Sequence, residues 1–347
     1  MSGPLQCPVP LTGGEHILLA HGGGGRVMRE LIEKELLPVL RSPELEPLGD
    51  GAVLEVPSGR LAFTTDGFVV HPLFFPGGDI GTVAVNGTVN DLAMCGAEPL
   101  YLSLGLILEE GLPVADLRRV LASVAAAART ARVRIVTGDT KVVERGKGDG
   151  VFVHTAGVGV VRARGPLGPD QVRPGDAVLV SGTIGQHGVA VMAVRDGLAF
   201  AKPIVSDCAP VADAVLALIG AGVALRCLRD PTRGGVASTL NEIASQASVE
   251  IELDEAALPV TAEVAGACEV LGLDPLYVAC EGRFLAIVAP EEAERALALL
   301  RARPDGRDAA RIATVKAAAA GLVTLRTAIG GVRVVDLLSG EQLPRIC

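Results

Sequence analysis

The chain has 347 residues, 49% of them hydrophobic and 20% charged, with a formal net charge of -9. That length exceeds one ordinary hydrophobic core and suffices for two, so two domains are expected. The negative charge opposes a polyphosphate backbone, and aromatic residues at 3% with no Trp offer few surfaces for stacking bases, which excludes nucleic acid as a partner. No apolar run of about eighteen residues lacks a charge or a breaker, and residues 1–20 have no basic region leading into an apolar stretch. A soluble, cytoplasmic protein with no membrane span is expected.

In chain order, His21 and the glycines Gly22, Gly23, Gly24 and Gly25 precede a helical pattern of Val27, Met28, Leu31, Ile32 and Leu36. Such a run is either a flexible loop or a backbone cradle for phosphate at a helix start; it has neither Walker nor dinucleotide spacing. Alternation then predicts strands over 61–65, 100–108, 133–137 and 151–161, placed at the centre of a sheet. Apolar spacing of three and four predicts covering helices over 80–95 and 114–131, the second opening after Pro113.

Between Arg162 and Pro174 the texture turns to Arg, Gly and Pro, a connector between two cores. The expected organisation is an ATP-binding and dimerisation domain over 1–165, an α/β domain over 166–337 and a flexible tail over 338–347. The second domain should hold strands over 177–181, 284–288 and 321–326, and helices over 209–219, 234–246 and 290–301. Gly340 and Pro344 discourage regular structure in the tail.

Five aspartates of the first half fall at strand ends and helix starts: Asp50, Asp66, Asp79, Asp91 and Asp139. Each alone reads most simply as a turn or cap residue. Together on one rim they would suit magnesium and nucleotide phosphates, since Mg²⁺ takes hard oxygen ligands. Lys141, following Asp139 and Thr140, would project toward the same rim and could neutralise a transferring phosphoryl group. Asp230, with Gly234 and Gly235 in DPTRGG, opens a further helix, as an N-cap turn or as an anion site. Glu281, in ACEGRF before an apolar strand, either is solvated or points into the cleft between domains.

The seven cysteines include no C-x-x-C pair and do not cluster with the five histidines, so neither a zinc site nor a disulfide framework is expected. Cys347 alone has an unusual setting, as the last residue of the chain. Terminal cysteines are usually incidental, but a thiol on a mobile tail can be loaded at one place and delivered to another.

Taken together, FTTDGF, FPGGDIG, VNGTVNDLAMCGAEP, TGDTKVV, DPTRGGVASTLNEIA, ACEGRF and the terminal PRIC resemble the HypE family of hydrogenase maturation factors, from about Gly13 to Cys347. That family belongs to the superfamily of aminoimidazole ribonucleotide synthetase, thiamine monophosphate kinase and selenophosphate synthetase. The aspartates and the Gly-Gly helix start are superfamily features; PRIC is specific to the HypE family.

The resemblance implies a two-domain α/β fold, ATP with Mg²⁺, and a carbamoyl group placed on the terminal thiol by the carbamoyltransferase HypF. ATP-dependent dehydration would turn it into a thiocyanate, whose cyanide passes to an iron-carrying HypC–HypD complex. It further implies a homodimer, nucleotide and metal at Asp79, and roles in dehydration for Lys141 and Glu281. The rivals are another small-molecule kinase or ring-closing synthetase, which has no use for PRIC, and a non-catalytic carrier, which has no use for the aspartates.

Overall fold

The computed structural model describes residues 15–22, 26–45, 54, 56–200, 202–317, 321–337 and 346. Asp50, Gly23, Gly24, Gly25 and Cys347 lie outside them, as does the rest of the tail from 338 apart from Ile346.

The chain opens on α1 (Arg26–Leu31), a π-helical turn (Ile32–Leu36) and α2 (Leu37–Leu40). The periodicity predicts one continuous helix here. Pro38 lacks an N–H and its ring crowds the preceding turn; a widened turn, closed by Leu37 N–H on the Ile32 carbonyl, absorbs it.

There follow β1 (Leu61–Phe68), the short hairpin β2 (Phe74–Phe75) and β3 (Gly78–Asp79), α3 (Ile80–Met94), β4 (Ala97–Glu109), α4 (Val114–Ala131), β5 (Arg134–Val143) and β6 (Val151–Val161). The four long strands form one sheet in the order β1-β6-β4-β5, so two of the four predicted strands are edges rather than central. β6 runs antiparallel to β1 and β4, whereas β5 lies parallel to β4 because α4 carries the chain back across the sheet.

Leu102, Leu104, Leu106 and Leu108 of β4 share a buried cluster with Val85 and Val89 of α3 and Leu117, Val120 and Leu121 of α4. The opposite face of the sheet is open and leaves Phe63 69% exposed. Because α3 is buried on nearly every side, it shows no amphipathic stripe, and its polar residues Asn86, Thr88 and Asn90 face protein rather than water.

The second half builds a seven-stranded sheet from β7 (Ala177–Val180), β8 (Leu225–Arg229), β9 (Glu250–Asp254), β10 (Leu285–Val288), β11 (Ala310–Lys316), β12 (Leu322–Arg326) and β13 (Val332–Val334). Its order is β13-β12-β9-β11-β7-β10-β8. The helices are α5 (Gln186–Arg195), α6 (Ala212–Gly220), α7 (Gly235–Ala247), α8 (Ala262–Leu271) and α9 (Ala293–Arg301). β7 and β10 are apolar and buried throughout, as strands covered on both faces must be.

One hydrophobic cluster runs from Val85 and Leu121 through Leu179 and Leu218 to Phe284 and Ile346, so a shared core joins the two sheets. α3 and α6 meet across that seam. Among the described residues no helix is long and apolar enough to cross a membrane.

Candidate active site

The loop before β10 carries Glu281 into the seam. Cys280 N–H bonds the Pro231 carbonyl at 3.0 Å, and Glu281 N–H bonds Asp207 Oδ1 at 3.1 Å. The Glu281 carbonyl accepts from Asn90 Nδ2 of α3, also at 3.1 Å. A Cβ at Gly282 would lie 1.8 Å from the Asp207 carbonyl oxygen, so only glycine lets these two loops touch. Asn90 also donates to the Ala209 carbonyl and accepts from Val211 N–H, and thus ties the first half to both loops of the second.

Glu281 is consequently 3% exposed, against the default that an acid at a strand entry is solvated. Its Oε1, Asp207 Oδ2 and Asn86 Oδ1 are buried acceptors without a hydrogen-bond partner. Arg283 approaches Asp207 only to 3.8 Å. Asn86 Nδ2 instead points at the Cys208 sulfur, 3.5 Å away. Buried polar groups are normally satisfied, so unmet acceptors of different residues mark a place where a donor is meant to arrive. Burial holds the Glu281 carboxyl well above the ordinary range, and Asp230, Asp207, Asp66 and Asp91 add repulsion. Burial likewise raises Asp207, with Arg283 opposing it.

Beside Glu281 opens a small pocket of about 30 Å³ lined by Asp66, Asp91, Asp230, Thr232 and Arg233 among others. Asp66 comes from β1, Asp91 from the last turns of α3, and Asp230 from the end of β8. Thr64 Oγ1 donates to Asp91 Oδ2 at 2.9 Å, and Gly67 N–H to Asp66 Oδ1 at 2.7 Å. Burial raises Asp66 and Asp91, and pushes Asp230 up to about 7 with help from Asp91. A cation entering here would relieve all of these acids at once. The loop that leads from Asp230 through Thr232 and Arg233 into α7 closes one side of the pocket. A Cβ on Gly235 would meet the Leu276 carbonyl at 2.5 Å, which accounts for one glycine of DPTRGG by packing.

The remaining sequence candidates sit elsewhere. Asp79 caps α3, accepting from Thr82 N–H at 3.0 Å and from the Ser123 hydroxyl, and is 4% exposed. Asp139 and Lys141 face outward on the edge strand β5, paired with each other at 2.8 Å with side chains 63% and 61% exposed. Thr140 between them is buried. Gly22 packs on the same strand, where a Cβ would lie 2.8 Å from Val142 N, so the glycine run starts beside Lys141. Of the four described aspartates of that set, Asp66 and Asp91 join Asp230 and Glu281, whereas Asp79 and Asp139 stand apart from them. No three Asp, Glu, His or Cys side chains among the described residues converge closely enough to hold a metal unaided. Carboxylate oxygens are nonetheless the ligands Mg²⁺ takes, and it commonly uses one or two of them with nucleotide phosphates.

Asn86, Asn90, Asp207 and Cys208 escaped the sequence reading. The signal present was a pair of asparagines inside a largely apolar helix, where they disfavour helix and need a reason to be inside.

Two family profiles cover most of the chain: AIR synthase related protein, N-terminal domain, over residues 48–161, and AIR synthase related protein, C-terminal domain, over residues 173–325. The chain is 55% identical to carbamoyl dehydratase HypE of Azotobacter vinelandii over 95% of its own length and 96% of that protein. Its fold matches a crystal structure of hydrogenase maturation protein HypE in complex with ATP at a TM-score of 0.92 and 50% identity, covering 95% of this chain and 99% of that one. It also matches a HypE–HypF complex at a TM-score of 0.78 and 45% identity, covering 88% and 99%. The chain belongs to the HypE family of carbamoyl dehydratases, enzymes of hydrogenase maturation.

Proposed function

We propose that this chain uses ATP to dehydrate a carbamoyl group carried on its own Cys347, and that Glu281 is the base of that reaction. The observation that carries the reading is a carboxyl buried in the seam between two sheets, held above its ordinary pKa and with one oxygen unmet.

An amide oxygen is a poor leaving group. Transfer of the γ-phosphoryl group of ATP to the thiocarbamate oxygen releases ADP and the first of the two nitrogen protons, and gives an S-linked iminophosphate. Removal of the remaining proton on nitrogen and expulsion of phosphate leave the thiocyanate, so one water is lost in effect to ATP. Glu281 accepts that proton; a carboxylate whose basicity is raised by burial is better suited to it than an exposed one. The buried seam keeps water from the activated intermediate. One or two of Asp66, Asp91 and Asp230, together with the nucleotide phosphates, would hold the magnesium that accompanies ATP; when bound it shields phosphate charge. Asp79 and Asp139 do not line the pocket of those three. Lys141, released from Asp139, neutralises the transferring phosphoryl group, with Gly22 packed on the same strand.

The match to a HypE–HypF complex supports HypF as the source of the carbamoyl group, and the family resemblance supports delivery of cyanide to HypC–HypD. The open face of the four-stranded sheet, with Phe63, Leu61 and Ile107 exposed, supports a homodimer through this face. Carbamoylated chain incubated with ATP should lose one water from its terminal peptide by mass spectrometry, and Glu281→Gln should not. Retention of the carbamoyl mass in the unaltered chain would overturn the reading.

A further inference from the structure

His187, the second residue of α5, is fully buried, yet it serves a residue 159 positions away. Its Nε2 lies 2.6 Å from the carbonyl oxygen of Ile346, and its Nδ1 lies 2.8 Å from Ser206 Oγ. A carbonyl can only accept, so Nε2 carries the proton and Nδ1 is the acceptor of the Ser206 hydroxyl. Ser206 Oγ in turn accepts from Cys208 N–H at 3.1 Å. The result is a directed chain of donors, Cys208 to Ser206 to His187 to Ile346, with no competing acid on the ring. The edge of Phe75 against the imidazole, with ring centres 5.4 Å apart and planes at 87°, fixes its orientation. Burial lowers the His187 pKa to about 4, so the ring stays neutral and keeps this tautomer at physiological pH.

Ile346 is 3% exposed and belongs to the cluster that holds Phe75, Val191 and Ala279. Cys208, at the head of the donor chain, touches Asn86, and its neighbour Asp207 touches Glu281. The receptor for Ile346 and the unmet acceptors around Glu281 are therefore built on the same short segment, 206–208.

We propose that His187, held by Ser206, is the positioning residue that docks the tail by the backbone carbonyl of its penultimate residue and so sets the register in which Cys347 presents its carbamoyl group to Glu281. The inference deepens the function proposed above and rests on it. Because a peptide unit is planar, fixing the Ile346 carbonyl fixes where the next residue begins, about 3.8 Å from the preceding Cα. A backbone carbonyl is read whatever side chain or cap follows, so one receptor serves the free, carbamoylated and dehydrated tail. When the tail leaves, the Nε2–H is a buried donor without a partner, which biases it to return by about tenfold to a hundredfold.

The test compares His187→Leu, which keeps bulk and removes the donor, with His187→Gln, which restores an N–H. In single-turnover assays at saturating ATP, His187→Leu should dehydrate a loaded tail at least tenfold more slowly while accepting the carbamoyl group no more slowly, and His187→Gln should recover most of the loss. A second readout needs no chemistry. Trypsin cuts after Arg345, and the rate of losing the terminal Ile-Cys dipeptide should rise at least tenfold in His187→Leu, with cleavage elsewhere unchanged, and fall back in His187→Gln. Unchanged tail cleavage in His187→Leu overturns the proposal even where dehydration is absent from every form, the outcome that would overturn the functional reading instead. Should His187→Leu lose its cooperative thermal transition, Ser206→Ala takes its place: the same cleavage shift, about threefold or more, supports the docking role, and no shift overturns it.

Discussion

Two acidic regions of this molecule look alike in sequence and differ in kind. Asp139 and Lys141 on β5 are exposed, pair with each other at 2.8 Å and leave nothing unmet. Glu281 and Asp207 at the seam are buried, repel each other and their neighbours, and keep oxygens without partners. The first arrangement is satisfied by its own chain; the second holds free energy that only an arriving proton, cation or substrate donor can release. Reaction chemistry is thus more plainly written where a fold leaves groups unsatisfied than where it leaves them accessible.

The sharpest break of that contrast compares Glu281→Gln with Lys141→Ala. Glu281→Gln should lower the dehydration rate by about 10²–10⁴-fold with loading intact, as loss of a general base does. In the unaltered chain, kcat should rise with pH through a range where an ordinary glutamate is already ionised, because Glu281 must lose its proton before accepting one. Lys141→Ala should cost about 10²–10³-fold if its ammonium leaves Asp139 for the phosphoryl group. A normal rate in that variant would return the β5 pair to the surface, and the contrast between the regions would be complete.

Next in size, Asp91→Asn should weaken Mg²⁺-ATP binding by at least tenfold to a hundredfold, the loss that even an outer partner of a metal site causes. Equilibrium binding of a non-hydrolysable nucleotide with and without Mg²⁺ measures it. Equal affinity in the variant would remove Asp91 from the ligand set.

How much of this was legible in sequence divides along the same line. The four long strands and two helices of the first half were readable, since alternation and spacing reflect local burial. In the second half β7, β10 and β12 were readable as apolar runs. β8 (LRCLR), β9 (EIELD) and β11 (ARIATVK) were not, because their charged residues pair along and across strands, as Lys316 does with Glu252 and Arg326 with Asp254. α5 hid because its first turn, Gln186-His187-Gly188, carries polar groups that bond inside the protein, Gln186 with Thr183 and His187 with Ser206, rather than an apolar stripe. At the site, Asp66 and Asp91 were readable as neighbours on one rim, but their meeting with Asp230 and Glu281 was not. It depends on Asn90 reaching across the seam and on Gly282 allowing backbone contact, both long-range facts.

Asp230 offers a stability test of the strain at the seam. Its pKa is raised to about 7 in the folded state from an ordinary 3.8, so the folded form binds its proton more tightly than the unfolded one. The sign follows: its favourable contribution is complete below pH 4 and is lost as pH rises toward 7. Asp230→Asn should therefore stabilise the nucleotide-free protein above pH 7, by on the order of 4 kcal/mol, and should change little near pH 4. Denaturant midpoints at the two pH values measure this, and saturating Mg²⁺-ATP should shrink or reverse the gain, since the bound cation then favours the aspartate.

The smallest effect belongs to Asp139. Lys141 first, with Thr140 N–H, lowers its pKa, so its contribution to stability is present above the ordinary carboxylate pKa and fades as pH falls through the lowered one. Both side chains are well over half exposed, and solvent screens such a pair to about 0–1 kcal/mol. Asp139→Ala should thus shift the denaturant midpoint at pH 7 by an amount close to measurement error, and less still at 1 M salt, where charges are screened beyond about 3 Å. Its effect on the reaction is the more telling quantity. With its partner removed, the Lys141 ammonium no longer has to leave an ion pair to reach a phosphoryl group, so dehydration at subsaturating ATP should be unchanged or modestly faster. A fall of tenfold or more would mean that the carboxylate itself touches magnesium or nucleotide, and the satisfied pair on β5 would join the site at the seam.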